Sequence, residues 1–240
     1  LEKQLDYLAA HPDVGVLGSD LQVIDEHGRP GRVARYAPGS GLTAWLMLFN
    51  NSLAHPTVVI RRALLEQIGF YPSGYLGGTE DYAVFMTLSR RTKMASLPEV
   101  LLRYRSWGEN MTRRKWEAQE ADASRILREA AREWWGIEIT DEAAGHLRGL
   151  STDRYPASAA AIDSTARLIR ELLAAFLGDT PLTRADERQV RVDAGVRLWL
   201  LSALAAKRSP MLSASLAVHA TRISAASPFR ISCQAVNWSD

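Results

Sequence analysis

His11-Pro-Asp-Val-Gly-Val-Leu-Gly-Ser19 sets a short apolar run behind a turn-forming Pro-Asp pair and reads as a strand over residues 14–19. Just before it, Leu1-Glu-Lys-Gln-Leu5-Asp-Tyr-Leu8 carries an apolar stripe at helical spacing, so a helix over residues 2–10 leads into the strand. Downstream, the turn-rich break Glu26-His-Gly-Arg-Pro-Gly31 joins residues 21–25 to residues 32–36 as a hairpin. Residues 42–49 form an apolar segment. Thr57-Val-Val-Ile60 is short, β-branched and bounded by Pro56 and Arg61-Arg62, and so reads as a buried strand; a short helix over 63–68 follows and stops at Gly69. A loop rich in Gly, Pro and Ser, residues 71–78, leads to Thr79 as the N-cap of a helix running to about Arg90. A last strand covers residues 97–105.

From about Met111 the pattern changes. Strand-like runs almost vanish, and helices are predicted over 112–135, 140–150, 157–177, 184–205 and 209–223, separated by breaks at Gly136, Tyr155-Pro156, Gly178-Asp-Thr-Pro181 and Ser209-Pro210. The expected fold class is therefore α/β: a partial mixed sheet with flanking helices over residues 1–112, followed by an all-helical region over 113–240.

With 240 residues, nearly half of them hydrophobic, the chain can bury a real core. Its 29 basic and 27 acidic residues nearly balance and are scattered, which argues against nucleic acid as a partner. Cys233 is the single cysteine, so neither an intrachain disulfide nor a cysteine-based zinc site is available. No run has the length of apolar residues that a membrane span needs, and the start has no signal-peptide pattern. The expected address is the cytoplasm, with a peripheral position at the inner membrane face as the variant. The opening directly into a helix, without a start methionine or an N-cap, leads us to expect a piece of a longer chain.

The strongest local signal for chemistry is Gly77-Gly-Thr-Glu-Asp-Tyr82, a glycine loop that delivers two carboxylates to the first turn of a helix. Unpaired N–H groups and the helix dipole favour a charged carboxylate there, and a fixed carboxylate can accept a hydroxyl proton. Acidic residues are also favoured in any first turn, so local sequence leaves both readings open. His55 at a strand mouth and Arg61-Arg62 at a strand end read structurally when taken singly. Arg103-Tyr-Arg105 ends a strand and precedes Trp107, an aromatic suited either to stacking on a sugar face or to an exposed edge. Arg113-Arg-Lys115 reads as a solvated helix start. The fingerprints G-x-G-x-x-G, Walker A, H-E-x-x-H and G-x-S-x-G are absent from the sequence, which removes the usual dinucleotide, nucleoside triphosphate, zinc-protease and serine-hydrolase readings.

Taken in order, the pieces carry more than any one of them. Leu1-Glu-Lys-Gln, His11 to Ser19, Asn50-Asn51, His55-Pro-Thr-Val-Val-Ile-Arg-Arg62, Ile68-Gly-Phe-Tyr71, Glu80-Asp-Tyr82 and Leu97-Pro-Glu-Val-Leu-Leu-Arg-Tyr-Arg105 together resemble the family-two glycosyltransferases of the GT-A fold, chiefly bacterial enzymes. The resemblance covers roughly residues 1–112. It implies the acceptor-side half of an inverting transferase. Asp81 is then the catalytic base, with Glu80 as its companion or as an acceptor ligand, and His55, Arg62, Tyr82, Tyr104, Arg105 and Trp107 are substrate-binding candidates. The implied partners are a sugar nucleotide and a glycan or lipid-linked acceptor. In that family the nucleotide-binding strands and an Asp-x-Asp-like motif precede the equivalent of Leu1, so a divalent metal, Mg or Mn, is expected for the complete enzyme with its ligands outside this chain. Related proteins often place a histidine just after the equivalent of Arg105, where this chain has Ser106-Trp107. The strands at 14–19 and 57–60 are expected to lack partners and to expose a sheet edge through which the chain self-associates. A non-catalytic remnant, or a helical interaction module, is the competing reading.

Overall fold

The computed structural model describes residues 1–75, 77–106, 116–152 and 154–224; Trp107, Arg113-Arg-Lys115 and Cys233 lie outside the described residues. Among the latter, the strands form a four-stranded mixed sheet. The two runs expected at 14–19 and 21–25 are a single strand, β1 (Val14–Ile24). It bends at Asp20, where its register with a parallel neighbour shifts on both sides. The Asp20 carboxylate is buried and accepts the Tyr36 N–H at 2.9 Å, tying the end of the hairpin back to the bend. The hairpin itself closes on Asp25, whose Oδ1 accepts the N–H groups of His27 and Arg29 at 2.9 and 2.8 Å. An aspartate side chain bonding the backbone two residues on is the usual means of making such a turn.

Three strands pair with β1. β2 (Pro30–Ala34) pairs antiparallel with its second half, Leu21 opposite Ala34, and β3 (Val59–Ile60) pairs antiparallel with its first half, Val16 opposite Ile60. β4 (Lys93–Arg105) runs parallel along the whole of β1. Because Val16 and Leu21 each have one partner in β4 and another in β3 or β2, β1 is flanked on both sides. The expectation of an unpaired strand at 14–19 is thereby overturned.

The strand expected at 57–60 also needs correction. His55–Thr57 is a 3-10 turn, and only Val59–Ile60, half-buried, joins the sheet. Pro56 has no N–H for a ladder, and the Thr57 hydroxyl bonds locally instead, donating to the Ala54 carbonyl at 2.8 Å and accepting the Ser19 N–H at 3.0 Å. This turn is what carries His55.

Helices α1 (Glu2–Ala10), α2 (Ser40–Leu46), α3 (Arg62–Ile68) and α4 (Glu80–Leu88) accompany the sheet. α3 stops where expected: Gly69 has φ 77°, and the Phe70 N–H bonds the Leu65 carbonyl at 2.8 Å. α4 is buried through Tyr82, Ala83, Val84, Phe85, Met86 and Leu88, which anchors its first turn in the core.

The packing divides the chain into two compact units, Leu1–Ala130 and Ala131–Asp240. The division falls inside α5 (Trp116–Trp135), well after the point near residue 112 where strand-like sequence ends. The second unit is helical: α6 (Asp141–Gly149), α7 (Ala159–Asp179), α8 (Arg184–Ala205) and α9 (Pro210–Ser224). Thr140, Ser158 and Thr183 cap α6, α7 and α8 by accepting a backbone N–H three residues on. Each such cap is worth about 1 kcal/mol. Leu147, Ile162, Ile169, Leu172, Val190, Leu198 and Leu201 form its interior. No helix of the described residues is long and apolar enough to cross a membrane.

Candidate functional site

Asp81 stands in the first turn of α4, after Thr79 in the N-cap position. Thr79 does not cap in the usual way: its Oγ1 is buried and makes no hydrogen bond among the described residues. The turn is fixed instead by the residue after Asp81. Tyr82 is buried, and its hydroxyl donates to the Met47 carbonyl in the segment after α2. Tyr82, expected to touch substrate, is thus a core anchor with no surface to offer a ligand.

The Asp81 carboxylate is held from several directions. Its Oδ1 accepts the Tyr82 N–H at 2.8 Å, and its Oδ2 accepts the side-chain N–H of Asn51 at 3.0 Å. Asn51 is itself oriented, because its Oδ1 accepts the Leu53 N–H at 3.2 Å and so turns its Nδ2 toward Asp81. The Ser52 hydroxyl donates to the Thr43 carbonyl at 2.7 Å and pins the same loop to α2. His55 Nδ1 lies 3.6 Å from Asp81 Oδ2, near enough for charge attraction but long for a hydrogen bond. The His55 ring meets Phe85 edge-on at 5.9 Å, and its Nε2 lies 3.4 Å from the Tyr71 hydroxyl. A phenol donating to Nε2 leaves the ring proton on Nδ1, facing Asp81.

The electrostatics differ from what a bare helix N-terminus suggests. The side chain of Asp81 is only 15% exposed, against 45% for His55. Burial pushes the Asp81 carboxyl above the usual aspartate range and outweighs the opposing pull of His55 and the Tyr82 N–H, with the neighbouring Glu80 charge adding to the rise. The Tyr71 phenol is also pushed up, chiefly by burial and then by the negative charges of Asp81 and Glu80, so it remains a hydrogen-bond donor. A partly desolvated carboxylate, fixed by two N–H donors and placed beside an exposed imidazole and phenol, is able to take a proton from a hydroxyl group brought against it.

The sequence-derived candidates part company here. Asp81, Glu80 and His55 gather at the start of α4. Arg62 instead pairs with Glu66 one turn along α3, Nε to Oε1 at 2.7 Å, with most of its side chain in solvent. Tyr104 packs against the cluster of Leu21, Ala34, Tyr36 and Ala54. Arg105 donates to the carbonyls of Asp25 and Glu26 at 3.1 and 2.6 Å, and Arg103 to that of Gly28 at 2.7 Å, so the end of β4 braces the β1–β2 turn. Trp107 falls outside the described residues. Conversely, Asn51 and Tyr71 belong to the cluster although neither was singled out for a role. Asn51 immediately precedes the buried run Ser52-Leu53-Ala54, and in the sequence it stood out only as part of the Asn50-Asn51 pair among the ordered motifs.

A divalent metal does not fit the residues at hand. No group of three His, Cys, Asp or Glu side chains able to hold one exists among the described residues, and the partners of Asp81 are an amide and an imidazole facing it with N–H groups.

No protein-family model matches the chain. Over 115 residues it is 28% identical to the amylovoran biosynthesis glycosyltransferase AmsE of Erwinia amylovora, a match covering 48% of this chain and 42% of that protein. The chain thus spans less than half the length of this curated relative. The match supports a distant glycosyltransferase-like relationship.

Proposed function

We propose that this chain supplies the acceptor side of an inverting glycosyl transfer from a sugar nucleotide to a hydroxyl of a glycan or lipid-linked acceptor, with Asp81 as general base. The observation that carries the reading is the Asp81 carboxylate itself: largely desolvated, fixed by Asn51 and the Tyr82 N–H, and flanked by the more exposed His55, whose Nε2 in turn meets the Tyr71 hydroxyl. Asp81 takes the hydroxyl proton as the acceptor oxygen forms its bond to the anomeric carbon. The bond to the nucleoside diphosphate breaks with its electron pair going to the departing phosphate oxygen. Attack and departure on opposite faces invert the anomeric centre. A base strengthened by burial holds the proton better during that step, which is the sense in which the elevated Asp81 carboxyl helps. His55 and Tyr71 are suited to bond the other hydroxyls of the acceptor. The distant similarity to a glycosyltransferase of amylovoran biosynthesis favours a sugar hydroxyl as the nucleophile.

The test is transfer from a panel of sugar nucleotides by the chain, expressed with any coding sequence upstream of Leu1, beside Asp81→Asn. Removing the base is expected to lower turnover about 100-fold or more, the usual scale of general-base loss. Equal turnover by Asp81→Asn would remove Asp81 from the mechanism.

A further inference from the structure

The loop leading to Asp81 is held by α5, a helix with no part in the site as described so far. Four residues before Asp81, the Gly77 N–H donates to Asp122 Oδ2 on α5 at 2.9 Å. Asp122 is largely buried and is itself fixed, because Arg125 donates to its Oδ1 at 3.2 Å. The Arg125 guanidinium also sits 4.8 Å from the centre of the Tyr75 ring, on the other side of the same turn. The approach is close enough to demand glycine: a Cβ on Gly77 would fall 2.6 Å from the backbone N and Cα of Gln119. Gly78 closes the turn with its N–H on the Tyr75 carbonyl at 3.2 Å, and Thr79 then opens α4. All of these residues belong to the first compact unit.

We infer that Asp122 is a positioning residue for Asp81: through the Gly77 peptide it sets the trajectory on which the loop enters α4 and hence where the carboxylate points. The inference rests on the reading of Asp81 as base. Two features leave an external clasp a task that the Tyr82 anchor does not cover. Thr79, the residue before α4, makes no side-chain cap bond, and Gly78, with φ 76°, lets the backbone upstream of the anchored turn swing in directions closed to other residues. A clasp one residue upstream of Gly78 removes that freedom. Small displacements of a reacting group are costly, since a misplacement of about 1 Å is able to lower a rate about 100-fold.

The experiment compares Asp122→Ala, Asp122→Asn and Gly77→Ala by amide hydrogen exchange and by turnover. Asp122→Ala and Gly77→Ala are expected to speed exchange about tenfold at the amide of position 77 and also at Tyr82 and Ala83 in the first turn of α4, since release of a clasp exposes the segment it holds. Asp122→Asn keeps an acceptor oxygen for the Gly77 N–H and is expected to retain protection, a rescue that a mere packing role would not show. In transfer, Asp122→Ala should lower kcat about tenfold with the KM for sugar nucleotide within about twofold, and Asp122→Asn should recover it. Faster exchange confined to Gly77, with Tyr82 and Ala83 protected as before, would overturn the inference whether or not transfer is detected. So would loosening of all three amides at undiminished kcat. Failure of the Asp81 reading shows separately, as undiminished transfer by Asp81→Asn while the exchange results for the Asp122 variants stand.

Discussion

Two polar clusters of the first unit, both assigned to the site by the family resemblance, differ in kind. At the end of β4, Arg103 and Arg105 donate to three backbone carbonyls of the β1–β2 turn, so those charges are consumed in holding a loop. At the start of α4, Asp81 is held by neutral N–H donors while His55 and Tyr71 keep exposed polar atoms beside it. The difference lies in what the hydrogen bonds do. Bonds from a charged group to backbone complete a structural task, whereas bonds that orient a charged group toward an open side prepare it to act. Residue type does not separate the two cases; the direction of the support does.

The contrast is tested most strongly at Asn51. Asn51→Ala removes the donor to Asp81 Oδ2 and is expected to lower turnover about tenfold, because a hydrogen bond to a charged group contributes roughly 1.5–3 kcal/mol. Losing a donor to the charged form also raises the Asp81 carboxyl further, so the acidic limb of the pH–rate profile should move toward higher pH. A turnover and profile identical to those of the parent protein would make Asn51 a loop-packing residue like Arg105.

Arg105→Ala probes the opposite arm. It leaves the carbonyls of Asp25 and Glu26 to solvent and should lower stability by about 1 kcal/mol, seen as a shift of the denaturant midpoint at unchanged slope. Turnover per folded molecule should stay within about twofold, the behaviour of a turn brace. A large fall in turnover without a fall in stability would return Arg105 to the list of substrate contacts.

Much of the architecture was legible in residue pattern. α1, α3, α8 and the hairpin follow from apolar periodicity, the Gly69 stop and the 26–31 turn signals, all of which are local. Two features were not. Thr57 has the composition of a strand residue, yet its hydroxyl finds a local carbonyl and draws His55–Thr57 into a tight turn. Asp20 resembles an ordinary turn aspartate, yet it is buried at the bend of one continuous strand. For the site, Asp81 and His55 could be named from sequence, but Asn51 is 30 positions from Asp81 and Asp122 is 45 positions from Gly77. Hydrogen bonds across such separations are set by the packed chain and leave no periodic signal. The upward direction of the Asp81 shift was not legible for a related reason: helix-dipole reasoning is local, while the burial that opposes it comes from the whole surrounding core.

That burial gives the finest test of the contrast, because it makes Asp81 a residue whose charge opposes folding. A carboxyl held above its unfolded value ionises less readily in the folded chain, so stability falls as pH rises from the unfolded value through the folded one, and the cost is constant above the folded value. Asp81→Asn keeps the shape and an acceptor oxygen for Asn51 but removes the ionisation. It is therefore expected to raise Tm modestly, by roughly 2–4 °C for a chain of this size if the relief is near 1 kcal/mol, at neutral pH. The gain should shrink as pH falls below the folded value, where the parent carboxyl is protonated as well. Arg105→Ala should instead show a loss nearly independent of pH across that range, since the bonds it removes run to backbone carbonyls, which carry no ionisable proton. A neutral-pH loss of stability in Asp81→Asn would mean that the attraction of His55 and the N–H donors exceeds the cost of burial, and the carboxylate would then be a structural anchor of α4 rather than a group kept under strain for proton transfer.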